Sequence, residues 1–139
     1  MEICVCVKRV PMVGGAIVVT PDGQDVDTAM AGFTVSPHEE CAVEEAVRIT
    51  ERFGGSVTVL TLGPPQAADQ LRDMLALGAS RAVLLETDGS EWGAIATAAA
   101  LADVVGTPAM TCCCSATRRL IPADIRCRCG WRTCSGGRA

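Results

Sequence analysis

Apolar residues fall in short unbroken blocks over the first hundred positions, and between those blocks they recur every three or four residues. Ile3 to Val7 is the first block, rich in β-branched residues and of strand length, which suits a strand buried on both faces. Ala16-Ile17-Val18-Val19-Thr20 runs into Pro21-Asp22-Gly23 and reads as a second strand entering a tight turn. Residues 24–35 return irregularly, with Phe33-Thr34-Val35 as a candidate partner strand. A helix comes next with complete start signals: Ser36 can cap it, Pro37 suits its first position, and Glu39 completes a capping box. Ala42, Ala46, Ile49 and Phe53 form its apolar stripe, and Gly54-Gly55 ends it.

The same alternation repeats. Ser56 to Leu62 is a buried strand stopped by Gly63-Pro64-Pro65, and Gln66 to Leu77 a helix with Ala68, Leu71, Leu75 and Gly78 on one face. Ala82-Val83-Leu84-Leu85 is a third strand, and Trp92 to Val105 an alanine-rich helix. Strands alternating with crossover helices predict an α/β fold, a parallel sheet with helices on both faces and a hairpin excursion after the first strand. The domain so defined is 1–105. Residues 106–139 show no helix or strand of ordinary length and are expected to be a disordered or non-native tail.

Charge and cysteine change at the same place. Up to Val105 there are 6 basic and 15 acidic residues, a net −9; beyond it six arginines face the single Asp124, a net +5. Cys4, Cys6 and Cys41 are scattered, whereas Cys112, Cys113, Cys114, Cys127, Cys129 and Cys134 crowd the tail. Phe33, Phe53, Trp92 and Trp131 are the only aromatic residues, too few for a base-stacking surface, so no nucleic-acid partner is expected. No apolar run approaches the roughly 20 residues of a membrane helix, and the N-terminus lacks a secretory leader, so a cytoplasmic protein is expected.

Ligands of an open parallel sheet bind at the carboxyl ends of its strands. The candidate wall is therefore the strand end at Cys6, the turn from Ser36 to Glu39, and the Leu62-Gly63-Pro64 turn. Neither GxGxxG nor GxxxxGK[ST] is present, so spacing alone names no nucleotide. Alternation puts Cys4 and Cys6 on one strand face, where they pack as small apolar residues. His38, the single histidine, has no carboxylate partner in view and is expected to be solvated rather than catalytic. Lys8-Arg9 is either a grip on a phosphate or partner or a charge pair facing water. Glu39, Glu40, Glu44 and Glu45 read as a solvated helix face whose first turn favours their charge.

Four segments carry a resemblance: Val5-Cys6-Val7-Lys8-Arg9-Val10-Pro11; Ser36-Pro37-His38-Glu39-Glu40-Cys41-Ala42-Val43-Glu44-Glu45-Ala46; Thr61-Leu62-Gly63-Pro64; and Leu75-Ala76-Leu77-Gly78-Ala79-Ser80-Arg81-Ala82. In this order and spacing they resemble the beta subunit of electron transfer flavoproteins, over residues 1 to about 105. The resemblance implies a Rossmann-like, adenine-nucleotide-binding layer, truncated here to its N-terminal half. It implies that Cys6, Ser36, Pro37, His38, Glu39 and Leu62 occupy the positions that hold AMP as a structural nucleotide. FAD would sit mainly in an alpha subunit with which the chain forms a heterodimer, although some electron-bifurcating relatives carry a second flavin at the AMP site. Electrons would pass from acyl-CoA or other dehydrogenases to a quinone-linked acceptor, with no catalytic residue of the chain's own, no metal and no membrane insertion. The family usually has Asn-Pro-Phe followed by Asp, Ser or Cys where this chain has Ser36-Pro37-His38-Glu39.

The tail departs from the family altogether. When codons are formed from the third base of each codon and the first two of the next, synonymous choices across Met110 to Gly136 spell DLLLFGNEAADTGGYQVPVRVAHLLG. That string is the family's next strand, loop and helix, so a shifted reading frame near Gly106 is expected. The tail cysteines form CCC, CRC and one more, not the paired CxxC of a structural zinc site, and no histidine lies near. Two alternatives stand beside the subunit reading: a stand-alone adenine-nucleotide-binding module and a zinc-binding interaction protein. Loss of the next strand would also expose a sheet edge and promote aggregation.

Overall fold

Cys4 and Val5 are neighbours in the chain and both fully buried, because they point into two different cores on opposite sides of one sheet. The computed structural model describes residues 1–12, 18–24, 26–28, 31–88, 90 and 92–105, and the backbone of 112–115. In chain order the elements are β1 (Glu2–Cys6), β2 (Arg9–Pro11), β3 (Phe33–Val35), α1 (Pro37–Phe53), β4 (Ser56–Gly63), a 3₁₀ turn (Pro65–Ala67), α2 (Ala68–Ala76), β5 (Arg81–Glu86), α3 (Ala94–Val105) and β6 (Cys112–Ser115).

Four strands form a parallel sheet in the order β5-β4-β1-β6. Val5 lies opposite Val59 in β4, and Ile3 opposite Cys112 in β6. The chain steps outward from β1 through β4 to β5, then α3 returns it to the other side of β1. The α/β class expected from the sequence is what forms.

One face packs Ile3, Val5, Val7, Val57 and Val59 against Val43 and Ala46 of α1 and Leu71 and Met74 of α2. The other packs Cys4, Cys6 and Leu60 against Leu101 of α3, with Leu62, Val83, Leu85, Val104 and Val105 partly buried around them. Both strand cysteines are thus packing residues of that second core. At the strand-start end, Gly55 has φ +139° and approaches Met1 so closely that an added Cβ would lie 1.9 Å from the Met1 carbonyl oxygen.

Several expectations are corrected. Phe33–Val35 pairs antiparallel with Arg9–Pro11, not with residues 16–20. Of that second strand, 16 and 17 lie outside the described residues, and the rest contributes one bridge, Val19 to Val26, across a turn closed by the Gly23 amide on the Thr20 carbonyl (2.8 Å). The capping box forms as read, but Phe53 is 68% exposed. It shares an angular face with Ala46 yet sits in the last turn, beside Gly54 and before β4 begins, with the Arg52 guanidinium over its ring. In α2 the buried line runs through Gln70, Leu71 and Met74, one position round from the expected stripe, which leaves Leu75 outward. The third helix starts at Ala94, so Trp92 belongs to the loop before it.

Of the tail, only the backbone of 112–115 is described, and it is a strand where none was expected. Placed beside β1, it covers the edge that the sequence reading left open. The remaining expectations for 106–139 lie outside the described residues.

Candidate functional site

The strand order reverses between β1 and β6, and in an open α/β sheet such a reversal opens a crevice at the carboxyl ends of the strands. A cleft of about 750 Å³ lies there. One wall is the end of β1 and the residues just beyond it: Cys6, Val7, Lys8 and Arg9. The floor is the end of β4: Leu62, Gly63 and Pro64. The far wall is the loop after β5 and the start of α3: Thr87, Ser90, Trp92, Gly93, Ala94, Thr97 and Leu101. Thr28, Phe33 and Glu39 close the remaining side.

Each wall is held by local hydrogen bonding. The Val7 amide donates to the Leu60 carbonyl (2.9 Å), and the buried Thr61 hydroxyl donates to the Val7 carbonyl (2.8 Å), which fixes where β1 releases Lys8 and Arg9. The Thr87 amide donates to the Gly63 carbonyl (2.9 Å), tying the floor to the far wall. In the far-wall loop the Asp88 carboxylate accepts from the Ser90 hydroxyl and, at 3.0 Å, from its amide. Those bonds, the hydroxyl's first, hold its pKa below the ordinary 3.8.

Glu39 is the unexpected element. It is 4% exposed and not part of a solvated face. One carboxylate oxygen accepts the Lys8 amide (3.1 Å); the other accepts the Ser36 amide (3.3 Å) and hydroxyl (3.0 Å). The capping box of α1 is therefore also the clasp that joins the helix to the end of β1. The reading of Glu39 as solvated failed because the buried line of α1 begins at Glu39 and continues through Val43 and Ala46.

Arg9 lies flat on Phe33, its guanidinium carbon 3.4 Å from the ring centroid. Its Nε is buried with no hydrogen-bond partner among the described residues. Gln70 donates to the Phe33 carbonyl (3.2 Å), and its side-chain oxygen is likewise buried without a partner among them. An orphaned donor beside a cleft fits an anionic ligand.

Of the six residues that the resemblance singles out, the structure brings Cys6, Glu39 and Leu62 to the cleft from three separate segments. Ser36, Pro37 and His38 are not among its described lining: the Ser36 hydroxyl is taken by the cap, and Pro37 and His38 are exposed. Sequence reasoning missed Phe33, Thr87, Ser90, Trp92 and Thr97. The one signal for the last four was their place between the third strand and the helix that returns the chain. Among the described residues no group of three His, Cys, Asp or Glu side chains could hold a metal ion.

A parallel sheet with helices on both faces and a cleft at its reversal point defines the class, an open α/β layer. The chain belongs to the electron transfer flavoprotein domain family, whose match covers residues 26–130 and so continues past Val105, where the resemblance read from motifs stopped. It is beta-subunit-like. Protein FixA of Rhizobium meliloti (strain 1021) is 40% identical over 107 residues, 76% of this chain and 36% of the relative. The acryloyl-CoA reductase electron transfer subunit gamma of Anaerotignum propionicum is 41% identical over 85 residues (61% and 32%). The mitochondrial electron transfer flavoprotein subunit beta of Oryza sativa subsp. indica is 45% identical over 84 residues (60% and 33%). The chain spans about a third of the length of these curated relatives.

Proposed function

We propose that this chain is the beta-type subunit of an electron transfer flavoprotein, with a structural nucleotide, AMP, in the switch-point cleft. Membership of the family joined to that cleft is the observation that carries the reading. Cys6, Glu39 and Leu62 would meet the nucleotide directly, while Ser36, Pro37 and His38 act from one layer back by setting the start of α1. FAD, held mainly by the alpha subunit, would supply the electron-carrying chemistry. The residues of this chain position and enclose, and they carry out no substrate turnover. The relatives' names, which include electron transfer subunits, support an electron-carrier role; the proposal sets that role between dehydrogenases, of the acyl-CoA or another type, and a quinone-linked acceptor. The proposed assembly is a cytoplasmic heterodimer; among the described residues no helix is long and apolar enough to cross a membrane.

Co-expression with an electron transfer flavoprotein alpha subunit tests this. A one-to-one complex with bound flavin, reducible by a dehydrogenase, is the expected result. AMP binding by the chain alone with no complex formed would favour the stand-alone module instead.

We further propose that 106–139 is translated from a shifted frame and that the product is impaired, pairing with the alpha subunit and retaining flavin less well than a subunit read throughout in the family's frame. Support comes from the break in charge and cysteine content and from the family-like string in the neighbouring frame. The encoding nucleotides between Val105 and Met110 decide it. An inserted or deleted base relative to the family's frame is expected, and an uninterrupted family frame would overturn the idea.

A further inference from the structure

The start of α1 and the end of β1 offer the amide donors that a switch-point cleft commonly turns toward a phosphate. Here two of those amides are already occupied. Glu39 takes the amides of Lys8 and Ser36 and the Ser36 hydroxyl, three donors in all. A carboxylate has about four acceptor positions, so about one remains, on the oxygen that meets only Lys8. That oxygen belongs to a residue lining the cleft. A phosphate brought to the same spot would meet a carboxylate in a setting that screens charge poorly. A hydroxyl would meet an acceptor with room for one more donor.

Two cationic side chains, Lys8 and Arg9, also line the cleft, and among the described residues neither forms an ion pair with this carboxylate. Lys8 is exposed, whereas Arg9 is braced against Phe33 and carries a buried Nε–H without an acceptor among the described residues. A braced guanidinium loses little freedom when it grips an anion, and its planar fork suits phosphate oxygens.

We propose that Glu39 and Arg9 divide the cleft into a hydroxyl end and an anion end. Glu39 receives a ribose hydroxyl and bars phosphate from the start of α1; Arg9, backed by Phe33, receives the phosphate. The assignment rests on the nucleotide reading above and sharpens it by fixing which way round the ligand lies. It also gives the glutamate a use, where a negative side chain in a phosphate position would only weaken binding.

Calorimetric titration of the full-length chain with AMP, adenosine and the 2′-deoxy and 3′-deoxy forms of AMP tests the division. Removing one of the two ribose hydroxyls should weaken binding to the unsubstituted chain about tenfold, the loss of a hydrogen bond to a charged group. Arg9→Met should weaken AMP about tenfold or more and leave adenosine within about twofold, since only the phosphate contact goes. Glu39→Gln keeps the side chain's size and one acceptor, and should raise the preference for AMP over adenosine about fivefold or more by removing like-charge repulsion. An unsubstituted chain that binds AMP yet ignores loss of either hydroxyl overturns the division, with no variant needed. An AMP-to-adenosine ratio unmoved in both variants does the same. Binding of neither AMP nor adenosine by the unsubstituted chain overturns the nucleotide reading itself, and this inference with it.

Discussion

The two faces of the sheet are built differently. On one, branched residues from β1 and β4 interlock with two helices, and Val5, Val43 and Val59 are fully excluded from solvent. On the other, a single alanine-rich helix covers two cysteines and Leu60, and leaves Val83 and Leu85 only partly buried. Ile95 at the start of that helix is 84% exposed. The cleft opens on this thinner side, where Thr97 and Leu101 of α3 line it. One face thus holds the more fully buried packing, while the other shares its helix between core and site.

The largest predicted effect tests that contrast directly. Met74→Ala empties a buried position on the thicker face and should cost about 3 kcal/mol, whereas Leu101→Ala should cost about 2 kcal/mol because the thinner face is already open to water. Urea unfolding of both variants measures the difference. Equal losses would break the contrast between the faces.

Gly55 sharpens it along the other axis, from the tight strand-start end to the open cleft end. Its φ of +139° and its contact with Met1 leave no room for a side chain. Gly55→Ala should cost about 2 kcal/mol, while Gly23→Ala, with nothing within 4 Å, meets only the backbone penalty and should cost about 1 kcal/mol. Thermal unfolding compares the two, and a smaller loss at Gly55 would show that the strand-start end can yield.

A smaller effect belongs to the cap that serves the thicker face. Ser36→Ala removes the hydroxyl that accepts the Glu39 amide and donates to its carboxylate, and should cost about 1 kcal/mol. Ser36→Asn, which brings in the residue usual in the family, should recover most of it. Unfolding free energies decide this, and an alanine variant as stable as the parent would remove the cap from the account.

How much of the molecule was legible depends on how local each cause is. The start of α1 could be read because Ser36, Pro37 and Glu39 act within one turn. The strands could be read because both faces are covered and their apolar runs are unbroken. The pairing of Arg9–Pro11 with Phe33–Val35 could not, since it closes a loop of more than twenty residues and leaves no periodic mark. Glu39 was misread for a related reason: on a helical wheel it is an acid in the first turn, and only the position of Lys8 shows that it faces inward. Half of the cleft was hidden because Thr87, Ser90, Trp92 and Thr97 become site residues only once α3 is known to return the chain beside β1. The motifs placed Cys6 and Leu62 because they end strands, which is the part of a switch-point cleft that sequence can mark.

The smallest predicted effect lies on the thinner side and is set by pH. Asp88 accepts the Ser90 hydroxyl and amide, and its folded pKa lies below 3.8. A carboxylate depressed in the fold adds stability above its unfolded value, and that addition is lost as pH falls through the folded one. Between neutrality and about pH 5 nothing should change at this loop; below 3.8 the turn should loosen and free Ser90, which lines the cleft. Asp88 is fully solvated, so the effect is local and appears as a shift in its carboxyl resonance and faster exchange of the Ser90 amide. Asp88→Asn should abolish the carboxyl titration and leave the thicker face's amides unchanged through the same range. If Asp88 instead titrated at or above 3.8, the turn would not be holding it, and this acid-sensitive tie in the far wall of the cleft would be struck from the account.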